Sequence, residues 1–335
     1  MTTEPPPSAE SAPGQLLPTA PPAVVADGTI PFGTYSGRIG SIDWSRLGLP
    51  ARRLRRRHKR WHYVSVAGPE VVLAVAVVHV GWAGSAFAYL FDRTTRRLLA
   101  DLEVVAPQAR ARVSPSPDAP ASTTFRSRRL HVRLVATQRG RWRLEARSPG
   151  LTIDATLDET DAGPTMCALA PVAGGVADCT HKTPALRVEG VAGAMGAVFD
   201  LSSCHAALDH TDGLLARSTR WRWASATDSR IALNFTEDFT APHENACWVD
   251  GRITALGPVR FEFDPARPES PWRIRSTSGD EVDLEFLPEG RRERHTSLLV
   301  ASSRYVQPIG TFQGSVAGAE VRGLVGVTED HAARW

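Results

Sequence analysis

No two cysteines stand close enough in sequence to clip a metal or a redox disulfide. Cys167, Cys179, Cys204 and Cys247 are scattered, and no C-x-x-C, H-x-H or H-E-x-x-H occurs. The expectation is a chain without metal, whose thiols stay reduced in the cytoplasm. Nucleotide chemistry lacks its marks as well. The glycine-rich "VEGVAGAMGAV" (188–198) misses the G-x-G-x-x-G spacing, and neither a Walker A loop nor a G-x-S-x-G elbow is present. No cofactor is expected. Charge imbalance is slight, with 39 basic against 36 acidic residues and a formal net charge of +3, so the chain as a whole is no nucleic-acid binder. Helical periodicity is nearly missing too, with Thr94–Leu102 its best and short candidate.

Long apolar runs are represented by one segment, "VVLAVAVVHVGWAGSAFAYLF" (71–91). Its β-branched start, His79 and the breaks at Gly81 and Gly84 suit two buried strands joined by a turn better than a membrane helix. Residues 1–27 hold seven of the 25 prolines, and no lysine or arginine precedes Arg38, so they read as a disordered tail rather than a secretory signal. The basic run "ARRLRRRHKRW" (51–61) reads first as a solvated loop or strand face. Its functional reading is contact with an anionic membrane surface. No stable protein partner is implied.

Period-two alternation fills the rest. In "VRFEFD", Val259, Phe261 and Phe263 share one face and Arg260, Glu262 and Asp264 the other. "WRLEARSPGLTIDATL" from Trp142 lines up with "WRIRSTSGDEVDLEFL" from Trp272, a hairpin recurring one domain length apart, and "GTYSGRI" at Gly33 echoes "GTFQGSV" at Gly310 as an edge or closing strand. A sheet of this kind hides its edges by closing into a barrel, and a barrel of about eight strands has room for core side chains or one small apolar ligand.

In "DHTDGLLARSTRWRWAS" (209–225), Gly213 reads as a turn that leaves Asp209 and His210 at the mouth of the next strand. Along that strand Trp221 and Trp223 share a face, expected to point into a barrel, while Arg220 and Arg222 point out. The following hairpin adds Asn234 and Thr236 on one face and gathers Glu237, Asp238, His243, Glu244 and Asn245 before Trp248. A carboxyl group among aromatic walls can stay protonated as a general acid, and indole faces can stabilise a cation.

The motifs "HKTPALRVEG", "LDHTDGLLARSTRWRWAS", "ALNFTEDF…ENACWVDG" and "GLVGVTEDHAARW" resemble those of a bacterial family, domain of unknown function 2804. That family is distantly similar to the lipocalin-like group of carotenoid 1,2-hydratase, tocopherol cyclase and the AttH proteins. The resemblance implies an all-β fold of two tandem lipocalin-like antiparallel β-barrels, residues 28–168 and 169–335. It implies Asp209 or Glu329 as proton donor. Lys182, Trp221, Trp223, Asn234, Glu244, Asn245, Trp248 and His331 would contact a ligand. The related hydratase and cyclase protonate an isoprenoid double bond without a cofactor; here, however, His210 is followed by Thr211 and not by tryptophan. The expected partner is a hydrophobic, lipid- or isoprenoid-like small molecule. A cofactor-free hydratase or cyclase, a non-catalytic carrier and an interaction module with filled barrels all remain open at this point.

Overall fold

The computed structural model describes residues 16–297 and 302–334. The chain forms two curled antiparallel sheets, one a nearly closed barrel and the other a half-barrel. Among the described residues the first sheet has fourteen strands, between Gly33 and Leu214. Its central path runs Arg97–Pro107, Ala83–Asp92, Val71–His79, His58–Ala67, His205–Leu214, Ala177–Ala194 and Leu151–Asp158. The second has nine, between Ser218 and Arg334, with Ile231–Glu237, Ser218–Thr227, Ala319–Arg334, Ser302–Val316 and Val282–Ser297 adjacent in that order. The sheets therefore divide between Leu214 and Ser218. The strands Ala177–Ala194 and His205–Leu214, which the sequence reading put beyond the 168/169 division, pair within the first sheet.

Each sheet has its own core. Val64, Val66, Leu73, Val75, Trp142 and Ile153 pack inside the first, and Phe235, Trp272, Ile274, Phe286 and Phe312 inside the second. Trp142 and Trp272, aligned by the sequence repeat, begin equivalent hairpins in the two cores. The Gly33 and Gly310 segments are not equivalent. Gly33–Ser36 pairs along Met166–Pro171, whereas Gly310 lies in Ser302–Val316, which has a partner strand on each side.

The segment 71–91 does form two strands, Val71–His79 and Ala83–Asp92. It lacks alternation because both its faces are covered, as in sheets packed on two sides. Val71, Leu73, Val75 and Val77 face the first core, while Val72, Ala74 and Ala76 pack with Trp223, Ile309 and Val327 of the second sheet. The Thr94–Leu102 helix does not form. Asp92 accepts from the Thr95 backbone N–H and hydroxyl in a tight turn, and Arg97–Pro107 continues as a strand. The longest helix among the described residues is instead Ala51–Arg57, inside the basic run. No helix of the described residues is long and apolar enough to cross a membrane. Of the tail expected over residues 1–27, residues 1–15 lie outside the described part. Packing begins earlier than Gly28: Leu17, Val24 and Val25 are buried, the latter two against Trp44 and Leu169.

Arg292 locks the two sheets together. It is 1% exposed, bonds Asp101 at 2.8 Å and Glu103 at 2.9 Å across the junction, and lies over the Phe87 ring at 4.3 Å. Removing one member of a buried ion pair leaves the others uncompensated, at about 3 kcal/mol or more. Arg292→Met, which keeps most of the stem, is expected to lower unfolding free energy by that amount in urea. A midpoint equal to that of the parent protein would show that the ion pairs do not hold the junction.

Candidate active site between the barrels

The two sheets meet along facing rows of cross-strand neighbours. On the first sheet, Lys182 pairs with Asp209, Asp209 with Tyr63, Tyr63 with Ala76 and Ala76 with Phe87. On the second, Thr236 pairs with Trp223 and Trp223 with Glu329, while Trp221 pairs with His331 and His331 with Tyr305. Between the rows lies a cavity of about 120 Å³ lined by both sets, with Trp61, Val78, Phe239 and Glu244 completing it. The small side chain of Ala76 leaves room that a larger residue would fill.

The two indoles do point together, but away from their own barrel. Ala224 and Ala226 occupy the second core, and Arg222 on their side lies over the Phe263 ring and pairs with Glu237 at 2.9 Å. Trp221 and Trp223 stand on the opposite face, covered by the first sheet: Trp221 stacks on Trp61 at 6.3 Å and Trp223 meets Tyr63 edge-on at 5.6 Å. Alternation separates the two sides of a strand but does not say which is interior when both are covered. Gly213 likewise makes no turn. It lies within His205–Leu214, where a Cβ would stand 2.4 Å from Asp178 Oδ1, so any larger residue would have to displace that carboxyl group. His210 faces into the first sheet, bonded to the Ser114 carbonyl at 2.8 Å.

Lys182 reaches the cavity because of a bulge. The register of Ala177–Ala194 shifts between Thr183 and Leu186, around Pro184 and a left-handed Ala185 (φ 60°), so Lys182 faces the second sheet while Leu186 and Val188 face the first core. Its ammonium bonds Asp209 at 2.5 Å and Glu244 at 3.3 Å and lies 5.6 Å from the Trp223 ring. Burial pulls the Lys182 ammonium down, and the two carboxylates more than reverse this, leaving it above its ordinary value. Asp209 also accepts from Thr180 at 3.3 Å and Thr211 at 3.2 Å, so all its close donors hold it in place. Asp178, not singled out from sequence, is buried beside this cluster. Burial, then Glu244, pushes its carboxyl well above the usual range.

Glu329 sits differently. Its hydrogen bonds come from neutral donors, the Trp221 indole at 2.7 Å and the Gln307 amide at 3.0 Å. Burial lifts its carboxyl to about 7, against the pull of Trp221, Tyr305 and Gln307. His331 stands beside it, its ring edge-on to Trp221 at 4.3 Å and bonded to the Ser303 hydroxyl at 2.9 Å. Burial, helped by Arg292, lowers its pKa to about 3, so the ring is neutral.

The remaining expected residues hold the frame. Asn234 accepts from the Trp223 indole at 2.9 Å and donates to the Glu244 carbonyl at 2.8 Å; Asn245 clamps Thr236 to the Gly257 carbonyl; Trp248 ties the second sheet to the Pro164 carbonyl at 2.8 Å. Of the first sheet's contribution, the sequence pointed to Lys182 and Asp209 but not to Trp61, Tyr63, Ala76, Val78 and Phe87. Apolar residues on both faces of the 71–91 run were the signal that could have found them. The spacing of the cysteines and histidines argues against a metal, yet Cys167, Cys179 and His181 are buried on neighbouring strands with potential ligand atoms within 4.8 Å of one another. These three could hold a thiophilic ion.

Fold and site together define a two-barrel lipocalin-like protein with its polar and aromatic chamber between the barrels. The chain belongs to the family described as domain of unknown function DUF2804, whose model matches residues 19–335. Its fold resembles a Nitrosomonas europaea protein described as an AttH, at 14% identity and TM-score 0.55, over 87% of this chain and 97% of that one. Kievitone hydratase of Nectria haematococca is similar at 12% identity and TM-score 0.54, over 92% and 98%, and CghA at 13% and 0.52, over 83% and 88%. No curated protein sequence matches.

The Glu329 environment has a measurable cost. Between about pH 4.5 and 7 the folded chain keeps a proton there that the unfolded chain has released, so this contribution to stability is lost as pH rises through the window, by about 3 kcal/mol. The depressed His331 acts in the opposite sense, losing stability as pH falls from 6.5 toward 3. Glu329→Gln should therefore grow more stable relative to its parent by about 3 kcal/mol between pH 4.5 and 8 in urea titrations. A difference flat with pH would mean that the carboxyl is not in this environment.

Proposed function

We propose that the protein binds an apolar, lipid- or isoprenoid-like molecule between its barrels and that Glu329 protonates a carbon–carbon double bond there without a cofactor. The observation that carries this reading is a carboxyl group held near pKa 7 by burial, against aromatic walls, by donors that are themselves uncharged. At neutral pH such a group is protonated often enough to act as an acid and basic enough afterwards to take the proton back.

In the reaction, the Glu329 proton forms a new C–H bond with one alkene carbon while the π pair leaves the other carbon cationic. The faces of Trp61, Trp221 and Trp223 stabilise that cation. The Lys182 cluster sets two carboxylates, Asp209 and Glu244, against one ammonium, which also favours positive charge nearby. Water or a hydroxyl of the ligand then bonds to the cation and returns a proton to the Glu329 carboxylate, giving hydration or cyclisation. Asp209 positions Lys182 in this scheme and is not the donor. One structural neighbour is a hydratase, which suits the reading. Four free, buried thiols suit a reducing compartment such as the cytoplasm.

Native mass spectrometry of protein from its own host is expected to find a co-purifying apolar ligand carrying a double bond. Glu329→Gln should keep that ligand and abolish its turnover, by about 10²-fold or more, with parent activity falling above pH 7. Full turnover by the variant would rule Glu329 out. A bound ligand released unchanged by the parent protein would leave a carrier in place of an enzyme.

A further inference from the structure

The basic run lines a cleft that a further cavity links to the same chamber. This cleft of about 1,060 Å³ is lined by five arginines from the Ala51–Arg57 helix together with Lys59 and Arg217, and no described carboxylate lines it. Its position follows from strand geometry. Lys59 lies two residues from Trp61 on one face of His58–Ala67, and Val80 two residues beyond Val78, so the cleft and the Glu329 cavity occupy successive positions along one sheet face. The linking cavity of about 140 Å³ bridges them. It shares Val80 and Trp82 with the cleft, and Val78, Phe87, Tyr305 and His331 with the Glu329 cavity. Trp82, half exposed, marks the junction between the charged and apolar parts.

Resting on the reading that the chamber takes an apolar molecule, we propose that the cleft binds the phosphate or diphosphate end of an amphiphilic ligand whose tail reaches Glu329. Guanidinium forks match phosphate oxygens in pairs, and seven cations around one concavity exceed what a single carboxylate could answer. Lys59 is consistent with this. It is 2% exposed, and burial, then Arg57, lowers its ammonium to about 8, a cost that an arriving anion would relieve. The sequence reading treated this run as a solvated face or as a membrane contact. The cleft's continuity with the chamber gives the charge a more specific use: it recognises one end of the ligand and sets how far the other end extends.

The test measures binding of farnesyl diphosphate, farnesol and inorganic diphosphate to the full chain by calorimetry, with sedimentation against phosphatidylserine vesicles as a fourth arm. Farnesyl diphosphate is expected to bind at least tenfold more tightly than farnesol, and inorganic diphosphate to compete with it. The triple variant Arg52→Gln, Arg53→Gln, Arg56→Gln changes only exposed side chains and should erase the tenfold difference while leaving farnesol affinity as it was. Equal affinity of the parent for the alcohol and the diphosphate would overturn the anion site and leave the apolar chamber standing. Binding of inorganic diphosphate but of neither prenyl compound would remove the chamber reading and with it the two-ended ligand. Sedimentation with the vesicles, undisturbed by soluble diphosphate, would assign the arginines to a membrane surface and overturn the proposal.

Discussion

Tyr63, Ala74, Ala76 and Tyr89 lie on a face of the first sheet opposite its filled core, and they are nonetheless out of water because Trp223, Ile309 and Val327 close over them. This back-to-back packing is the constraint from which the rest follows. It buries a second set of apolar residues on strands that already have one core, and it turns the outer side of each barrel into the wall of a shared chamber. Polar groups carried into that seam must be satisfied there. The Lys182 cluster, the Trp221–Glu329–Gln307 chain and the Arg292 ion pairs are three separate solutions to that requirement.

The solutions differ in chemical character. Lys182 and Arg292 each set carboxylates against a cation, which fixes charge in place. Glu329 has neutral donors and aromatic neighbours, and burial lifts its carboxyl to about 7. Two carboxyl groups lining one aromatic-walled cavity, Asp209 and Glu329, thus differ in their partners: an ammonium for the first, an indole and an amide for the second. The same difference explains why residue type was a poor guide to role and hydrogen-bond partners a good one.

Much of the fold was legible in the sequence. Alternation and turn chemistry marked the hairpins from Trp142 and Trp272, and of the two expected breaks Gly81 falls between a pair of strands while Gly84 lies inside the second, where hydropathy alone suggested a membrane helix. Seven of the residues singled out from sequence, Lys182, Asp209, Trp221, Trp223, Glu244, Glu329 and His331, line one cavity. Its location was not legible. Period-two reasoning sorts residues into two sides and assumes that one of them is solvent, an assumption that fails on Ser218–Thr227, where both sides are covered. The helix at Ala51–Arg57 was invisible for a related reason: five arginines in seven residues leave no apolar stripe to detect.

Because Ala76 and Phe87 belong to one sheet and Tyr305 and Glu329 to the other, the chamber's dimensions are set by how two separately cored sheets fit and not by either hydrophobic interior. A methyl added or removed along that seam alters the chamber's volume and leaves the two separate cores as they are. Substitutions at a handful of lining positions can therefore lengthen or narrow the chamber while Glu329 stays where it stands.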